Sequence, residues 1–600
     1  MPMQTLIDNQ RIVIVGMGSR GLSVLEQLIG AARRDPQKVL QMIELYDPQS
    51  PGSGLHLPEQ PDYLMLNTMA GQLSAFSAAH PAWFPGETPG LTFLQWCNAQ
   101  DLRLNERGHV SHSCAGRPIG FGDFVPRQLL GRYLRDSYDY LLRLCPPHVQ
   151  VRHYRNNVIG CSVKQFDQGF VLHTEGGRRV EADAVFLTVG HAPQPPTCCN
   201  GRRVGIEGLG LGAMDAVAAL TEGRGGRYVQ DHCLSGWRYV ASGLEPQIYL
   251  YSRSGLPFHC RPLWRGSAVP DPRLFFTPRA VQGLRDHAVS GRLDFAGQVL
   301  PLIKDEMRGA FYLAQVSLGA PERTEQIRHW LQEARTADMR RGIFTALAAE
   351  FGPFEPQDYL NVNGWQGDPA SYAQWFRDWI AEDLTRSRQG VEGSPLTQAL
   401  EVWRNCRDVL RLAADHDGLN DRSTLEFYGT WAALSNRLVG GPQKERYEDL
   451  LALIDAGVVT LLPPMRISQQ GAVTRLKAID PVYEAVIEVD NLISAHNAHS
   501  GLSLNRSGLI DDLLRQGLIK AAHPYPADGI AVDASNRALH RDGSVQPRLW
   551  VLGPMAEGST FYNHYVPTPD PACKAPLDAR DAVLACLEAL QACTPELAVH

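Results

Sequence analysis

The chain has 600 residues, of which 44% are hydrophobic and 20% charged, so it has the composition of a folded globular protein too long for one core. Its net charge of −7 gives no reason to expect nucleic acid or an anionic membrane as a partner. No apolar run approaches the ~18 residues of a membrane span. The N-terminal residues MPMQTLIDNQ lack the features of a signal peptide. The 12 cysteines are scattered without a C-x-x-C pair, which favours a reduced, cytoplasmic location.

The most informative stretch begins RIVIVGMGSRGLSVLEQLI. A short β-branched run precedes three glycines in the spacing G-x-G-x-x-G, and leucines then recur at helical spacing. Gly16 permits the tight turn, Gly18 lets a pyrophosphate approach the backbone, and Gly21 lets helix and strand pack closely. The start of the helix, with Ser19 and Arg20, offers N–H groups and a positive dipole end to phosphates. This stretch predicts a dinucleotide site. The alternative is a glycine-rich turn in an unrelated α/β domain.

A second predicted strand, Val39 to Tyr46, ends at Asp47. A carboxylate at this position can accept hydrogen bonds from an adenosine ribose. The turn PGSG follows, with Gly52 and Gly54 a few residues beyond the acid. Many FAD enzymes have paired glycines near the flavin at this distance, so FAD is predicted here in preference to NAD.

Residues 121–191 read as an amphipathic helix over 121–142, several short strands, and a final apolar strand ADAVFLTVGH. Val158 begins one of the short strands, and Gly190 lies near the end of the apolar strand. Both are candidate FAD contacts. Pro193, Pro195 and Pro196 predict a linker between two domains.

A second dinucleotide motif follows in RVGIEGLGLGAMDAVAAL. Gly208, Gly210 and Ala213 form G-x-G-x-x-A between a predicted strand and a predicted helix. A chain seldom needs two such turns unless it binds two nucleotides. The sequence therefore predicts a second cofactor in addition to FAD.

The strand Gln247 to Tyr251 ends in Ser252 and Arg253 where an NAD-binding domain usually has an acid. A guanidinium and a hydroxyl are the groups that a 2′-phosphate requires. This predicts NADPH as the second cofactor. The alternative is a solvated arginine at a strand end.

Helical patterns dominate from about residue 261 to 425, and this part is predicted to be an insertion that covers or shapes an active site. The strand Leu549 to Gly553 is predicted to return to the FAD sheet, so Gly553 is a candidate contact. In the loop beyond it, Tyr562 and Asn563 are candidates to line the flavin or the substrate. The alternative is a polar surface loop with an aromatic anchor.

The fold class predicted from these elements is α/β, with two dinucleotide-binding, Rossmann-like domains and a helical insertion. The NADPH domain is inserted in the FAD domain. The expected FAD domain comprises residues 1–196 and 495–600, the NADPH domain residues 197–260 and 426–494, and the helical insertion residues 261–425.

The segments VGMGSRGLSVLEQL, YDPQSPGSGLH, VGIEGLGLGAMDAVAALTEGRGG and LGPMAEGSTFYNHYVPTP resemble bacterial FAD/NAD(P)-binding proteins, a family whose membership does not specify a reaction. More distantly, the chain is similar to flavin-containing, Baeyer–Villiger and N-hydroxylating monooxygenases. Asn67 and Thr68 resemble a segment of flavin-containing monooxygenases whose asparagine sits beside the flavin. The chain departs from these enzymes in lacking the F-x-G-x-x-x-H fingerprint before Gly208 and in having Pro554 after the last FAD strand.

The resemblance implies an FAD-dependent, NADPH-using monooxygenase in specialised metabolism, with O₂ as co-substrate. A flavin C4a-(hydro)peroxide would oxygenate a nitrogen, sulfur or carbonyl centre of a small molecule, with Asn67 as the catalytic residue near the flavin. The alternatives are an NAD(P)H-dependent flavin dehydrogenase or reductase and a non-catalytic flavin-binding partner. No H-x-x-x-H or H-E-x-x-H motif supports a metal site, and homo-oligomerisation is left open.

Overall fold

The structure is a computed structural model that describes most of the chain. The described residues are 10–34, 40–84, 86–87, 90–111, 115–164, 169–190, 201–266, 273–288, 290–470, 473–480, 483, 486–496, 501–504 and 507–591. The predicted proline linker lies outside these residues.

Six strands form the first sheet, and the glycine-motif strand lies inside it. In order across the sheet they are Arg537–Leu539, Val545–Val551, Ala184–Leu187, Gln10–Val15, Leu40–Tyr46 and Gln150–Tyr154. Neighbouring strands are parallel except for the antiparallel pair at the Arg537–Leu539 edge. The prediction that the last long strand returns to the FAD sheet is confirmed.

Four parallel strands form the second sheet. In order they are Val459–Leu461, Gln247–Tyr251, Arg203–Glu207 and Asn491–Ser494. The turns of the two sheets are built alike, since the Gly16 amide donates to the Tyr46 carbonyl at 2.8 Å and the Gly208 amide donates to the Tyr251 carbonyl at 2.8 Å. Both units have the strand order of a Rossmann fold, so the predicted fold class is confirmed.

In each unit, a three-stranded antiparallel sheet follows the third parallel strand. The two units therefore resemble each other beyond their parallel sheets. The two are Val158–Val163 with Phe170–Thr174 and Arg179–Ala182, and Met465–Gln470 with Val473–Ala478 and Val486–Val489. Two hairpins complete the described strands: Arg103–Leu104 with Arg117–Pro118, and Arg227–Gln230 with Trp237–Val240.

Seven α-helices of the described residues lie outside the stretch between the second and third strands of the second unit. They are Ser19–Arg34, His80–Trp83, Phe93–Ala99, Arg127–Leu144, Leu211–Leu220, Gly508–Gln516 and Lys574–Gln591. Among the helices of the described residues, none has the length and hydropathy that crossing a membrane requires.

Helices dominate the region between the second and third strands of the second unit. They are Pro278–His287, Leu300–Gly319, Thr324–Glu333, Ala337–Phe351, Tyr372–Gly393, Pro395–Asn405, Arg407–Ala414, Asp421–Glu426, Ala432–Val439 and Lys444–Asp455. Two of them, Tyr372–Gly393 and Lys444–Asp455, pack into the core of the second sheet. The others enclose a separate core, which Phe561 of the C-terminal loop enters against Phe427 with ring centroids 4.8 Å apart. The helical region therefore contacts the loop predicted to line the flavin.

The helix predicted over 121–142 begins later, at Arg127. Residues before this helix form backbone hydrogen bonds with the segment that follows the paired glycines. The carbonyl of Val125 accepts from the Leu66 amide at 2.9 Å, and the carbonyl of Phe121 accepts from the Gly71 amide at 2.9 Å. Val125 precedes Pro126, whose ring disfavours helical backbone in the preceding residue. The helix therefore starts after the proline.

Candidate active site

The first glycine turn is closely packed on the backbone of a neighbouring strand. Gly16 has a φ of +95°, and a Cβ added there would lie 2.6 Å from the carbonyl oxygen of Thr188. A Cβ on Gly21 would lie 2.4 Å from the carbonyl oxygen of Gly16. Gly18 faces Gly54, since a Cβ added to Gly18 would lie 3.4 Å from the Gly54 Cα. The fold thus brings the glycine motif and the second of the paired glycines together.

Asp47 is buried at the end of the second strand and fixes the turn. Its carboxylate accepts a hydrogen bond from the Met17 amide at 2.6 Å and another from the Gln49 amide at 2.8 Å. A carboxylate has about four lone-pair sites, so capacity remains for ribose hydroxyls. The predicted role of Asp47 in binding the FAD ribose stays a prediction, and the geometry fits it.

Arg20 joins the first glycine turn to the C-terminal loop. Its Nη2 donates to the Asn563 carbonyl at 2.9 Å, and its guanidinium lies 4.5 Å from the ring centroid of Tyr565. Gly553, with a φ of +92°, passes close to the side chain, since a Cβ there would lie 3.1 Å from the Arg20 Cγ. Within the described part of the chain, the buried Nε and Nη1 of Arg20 have no hydrogen-bond partner. Unpaired cationic donors at a helix N-terminus fit the pyrophosphate of FAD.

Three of the remaining predicted FAD contacts, Ser19, Val158 and Gly190, come shortly after strands of the first sheet end. Ser19 is the first residue of the helix, and Thr68 is half-buried. Val158 is buried at the start of its antiparallel strand. Gly190 has a φ of +68°, with open space where a Cβ would be. Their contacts with the cofactor stay predictions.

Asn67 lies where the first unit meets the helical region. Its amide donates to the Gly440 carbonyl at 3.3 Å. The side-chain amide of Gln443 donates to the Leu66 carbonyl. The segment carrying Asn67 is therefore held against residues 439–443, and its predicted catalytic role remains a prediction.

The second glycine turn is also formed as predicted. Gly208 has a φ of +132°, and Ala213 is fully buried in the helix that begins at Leu211. The ring of Phe258 lies over Gly210, 3.1 Å from the position of an added Cβ. A glycine turn at a helix start fits a nucleotide pyrophosphate.

The two residues predicted to select NADPH differ in their surroundings. Ser252 is buried, and its hydroxyl accepts from the Gly255 amide at 2.9 Å. Arg253 is exposed at the end of the strand. Its side chain is therefore accessible to a 2′-phosphate.

Replacement of Arg253 by glutamine is expected to raise the KM for NADPH by roughly 10- to 100-fold, because a charge-assisted contact is worth about 1.5–3 kcal/mol. The KM for NADH should remain unchanged. Steady-state oxidation of both nucleotides measures the effect, with Arg227→Gln, an exposed arginine of the same unit, as the control. Equal losses with NADPH and NADH would contradict contact with the 2′-phosphate.

The carboxyl group of Glu557 holds the C-terminal loop through hydrogen bonds to its backbone. Its carboxylate accepts from the Tyr562 amide at 2.8 Å and from the Asn563 amide at 3.0 Å. Tyr562 has a φ of +58°, an uncommon conformation for a residue other than glycine. Burial raises the pKa of Glu557 from 4.5 to about 7. The loop with the predicted flavin-facing residues is thus held by a buried carboxyl group.

Glu557 should make the folded state less stable as the pH rises. Between pH 4.5 and about 7 the folded protein keeps a proton that the unfolded chain releases. Raising the pH through this window therefore lowers the free energy of unfolding, by about 3 kcal/mol. Glu557→Gln lacks this titrating group. The Tm of the wild type minus the Tm of the variant should therefore be roughly 2 °C smaller at pH 8 than at pH 5. Differential scanning fluorimetry measures it, with exposed Glu588→Gln as the control. A constant difference would contradict the raised pKa.

A group of two buried arginines and one half-buried arginine lies beside the C-terminal loop and was not predicted. We call Arg261, Arg404 and Arg407 the arginine cluster. The Nη1 of Arg261 donates to Glu401 at 2.7 Å and to the Val439 carbonyl at 3.2 Å. Arg404 donates to the same carbonyl, and its Nε lies 3.5 Å from the Glu401 carboxylate. The Arg407 guanidinium lies 3.7 Å from the ring centroid of Tyr562. The cluster therefore joins the helical region to the predicted flavin-facing loop.

A sequence signal for part of this cluster exists. Arg404, Arg407 and Arg411 recur at spacings of three and four, which place side chains on one helical face. Charged residues at such spacing usually mark a solvated face, whereas Arg407 is only 9% exposed. Among the described residues, no group of histidine, cysteine, aspartate or glutamate side chains could hold a metal ion.

The chain is similar to known flavoproteins. Residues 13–192 match the model of an FAD-NAD(P)-binding family. The chain is 28% identical to the L-aspartate N-monooxygenase (nitrosuccinate-forming) of Streptomyces cremeus, over 90% of this chain and 89% of the relative. It is also 28% identical to a Streptomyces davaonensis protein of the same name, over 76% of each chain. Among solved structures, the ornithine N-hydroxylase of Kutzneria sp. 744 matches with a TM-score of 0.45 and 11% identity, over 97% of this chain and 100% of that one.

The resemblance to FAD/NAD(P)-binding proteins and N-oxygenating flavoenzymes is thereby confirmed. The predicted class, a flavin-dependent monooxygenase, and the binding of FAD with a nicotinamide dinucleotide are confirmed as well. The preference for NADPH over NADH stays a prediction. The individual cofactor contacts and the domain boundaries remain predictions.

Proposed function

We propose that the chain oxygenates the amino nitrogen of L-aspartate or a closely related acidic amino acid. The observation that carries this proposal is the similarity to an L-aspartate N-monooxygenase along nine-tenths of the chain. In the first oxygenation, R–NH₂ + O₂ + NADPH + H⁺ gives R–NHOH + NADP⁺ + H₂O. One oxygen atom forms the N–O bond, and the other leaves as water.

The residues of the chain would bind and orient the reactants. Bound together, FAD and NADPH supply the electrons that activate O₂. The turn at Gly16 and the carboxylate of Asp47 would hold the FAD, and the turn at Gly208 with Arg253 would hold the NADPH. Asn67, at the boundary with residues 439–443, would face the substrate side of the flavin. Helices packed around the C-terminal loop would exclude bulk water from this boundary.

The test is to purify the protein, record its flavin spectrum, and follow NADPH oxidation and O₂ uptake together with L-aspartate. We expect O₂ uptake that depends on L-aspartate, with no comparable response to L-alanine. Reaction under ¹⁸O₂ should yield a product in which the aspartate nitrogen carries ¹⁸O, detected by mass spectrometry.

Two outcomes would contradict the proposal. NADPH oxidation without O₂ uptake, whatever the amino acid, would indicate a dehydrogenase or reductase. A protein that cannot be reconstituted with FAD would contradict the flavin site on which the proposed function depends.

A further inference from the structure

The arginine cluster carries more positive charge than the described residues around it neutralise. Glu401 is the one carboxylate within ion-pair distance of Arg261 and Arg404 in the described part of the chain, and no described carboxylate pairs with Arg407. Arg261 is 3% exposed, and Arg407 is 9% exposed. Burial of unpaired charge is costly, so proteins retain it where a ligand or partner compensates it.

The cluster also has donor groups without acceptors. Arg407 has buried Nε and Nη2 atoms with no hydrogen-bond partner among the described residues, and the same holds for the Nε of Arg261. A guanidinium presents its N–H groups in a planar fork that matches a carboxylate. Burial first, and then the neighbouring Arg261, lower the pKa of Arg404 to about 9. The donors and the charge both indicate an anionic ligand.

The cluster lies next to the predicted catalytic residue. Arg261 and Arg404 both donate to the Val439 carbonyl, while Asn67 donates to the carbonyl of the following residue, Gly440. An anion bound at the cluster would therefore lie near Asn67, the residue proposed to face the flavin. On its other side, Arg407 covers Tyr562 of the loop that reaches Arg20 through Asn563.

We infer that the arginine cluster binds a carboxylate of the substrate, with Arg407 as the residue that selects an acidic side chain. This inference rests on the proposed function, because an acidic amino acid is the substrate assigned there. Arg261 and Arg404 are fixed by Glu401 and the Val439 carbonyl, so they would position the anion. Arg407, whose Nε and Nη2 have no hydrogen-bond partner among the described residues, would contact it directly.

Succinate is the probe, because it has two carboxylates and no amino group to oxygenate. Isothermal titration of the FAD-loaded protein should show succinate binding that succinamide, its uncharged analogue, does not reproduce. Arg407→Gln should weaken succinate binding at least 10-fold, with unchanged FAD content. It should raise the KM for L-aspartate by a similar factor with a smaller change in kcat. The control is Arg422→Gln, an exposed arginine of the same helical region, which should bind succinate as the wild type does.

Arg407→Lys covers the case in which Arg407→Gln does not fold. It keeps the charge but not the fork, and we expect binding several-fold weaker than in the wild type. Succinate binding that is equal in the wild type, Arg407→Gln and Arg404→Gln would overturn the inference. Loss of FAD from a folded Arg407→Gln would also overturn it, because the arginine would then serve the flavin.

The proposed function fails separately. A wild type that binds succinate through Arg407 but never oxygenates L-aspartate would overturn the proposed function and leave the carboxylate site standing. If the wild type oxygenates L-aspartate and Arg407→Gln does so equally well, the carboxylate site would be overturned and the proposed function would stand.

Discussion

Replacement of Gly16 by alanine is expected to leave the protein without FAD. A φ of +95° is strained for any residue with a Cβ, and the added Cβ would lie 2.6 Å from the carbonyl oxygen of Thr188. That oxygen belongs to the backbone directly after the central strand Ala184–Leu187, where the Thr188 amide donates to the Val15 carbonyl at 2.8 Å, so it cannot give way as a flexible side chain would. The turn must move instead, and the Met17 amide that donates to Asp47 would move with it. Strain and lost contacts of about 3 kcal/mol weaken FAD binding by roughly 100-fold or more.

The ratio of flavin to protein absorbance in the purified variant measures this effect, and titration of the apoprotein with FAD measures the affinity. Gly177→Ala is the matched control. Gly177 has a φ of +77°, but its added Cβ would meet nothing within 4 Å. The control should therefore lose a little stability and keep its FAD. Normal FAD binding by Gly16→Ala would place the cofactor elsewhere.

The two parallel sheets could be predicted because their strands are unbroken apolar runs next to glycine turns. Ile12, Ile14 and Ile206 are fully buried, as continuous β-branched runs lead one to expect of strands covered on both faces. The antiparallel strands Met465–Gln470 and Val473–Ala478 were not predicted. Most of their described side chains are polar, so the periodic signal there is short.

The candidate site was only partly predictable, for a physical reason. The residues of a glycine turn are close in sequence, so their spacing alone indicates the site. Arg261 and Glu401 are 140 positions apart and meet only after the helical region has packed. Arg407 reads locally as an ordinary charged residue of an amphipathic helix. Its importance depends on burial against Tyr562, which no local pattern contains.

Replacement of Asn67 by alanine is expected to separate NADPH consumption from oxygenation. The side chain lies at the boundary of the first unit and residues 439–443, where it donates to the Gly440 carbonyl. The preceding carbonyl, that of Val439, accepts hydrogen bonds from Arg261 and Arg404. Under the proposed function, a polar group fixed at that point would orient the reacting centre. Loss of one such group costs about 100- to 1,000-fold in turnover in other enzymes. We expect product formation to fall by about 100-fold, with continued NADPH oxidation and release of hydrogen peroxide.

The measurement is the ratio of N-oxygenated product to NADPH consumed, with hydrogen peroxide and FAD content determined in the same samples. Asn98→Ala, an exposed asparagine of the first unit, is the control and should keep the wild-type ratio. A purely structural Asn67 would give a different result. Its hydrogen bond to the Gly440 carbonyl is worth about 1 kcal/mol, so its loss would lower the Tm slightly and leave the ratio unchanged. That outcome would assign Asn67 to holding two segments together and leave the oxygenating centre without this residue.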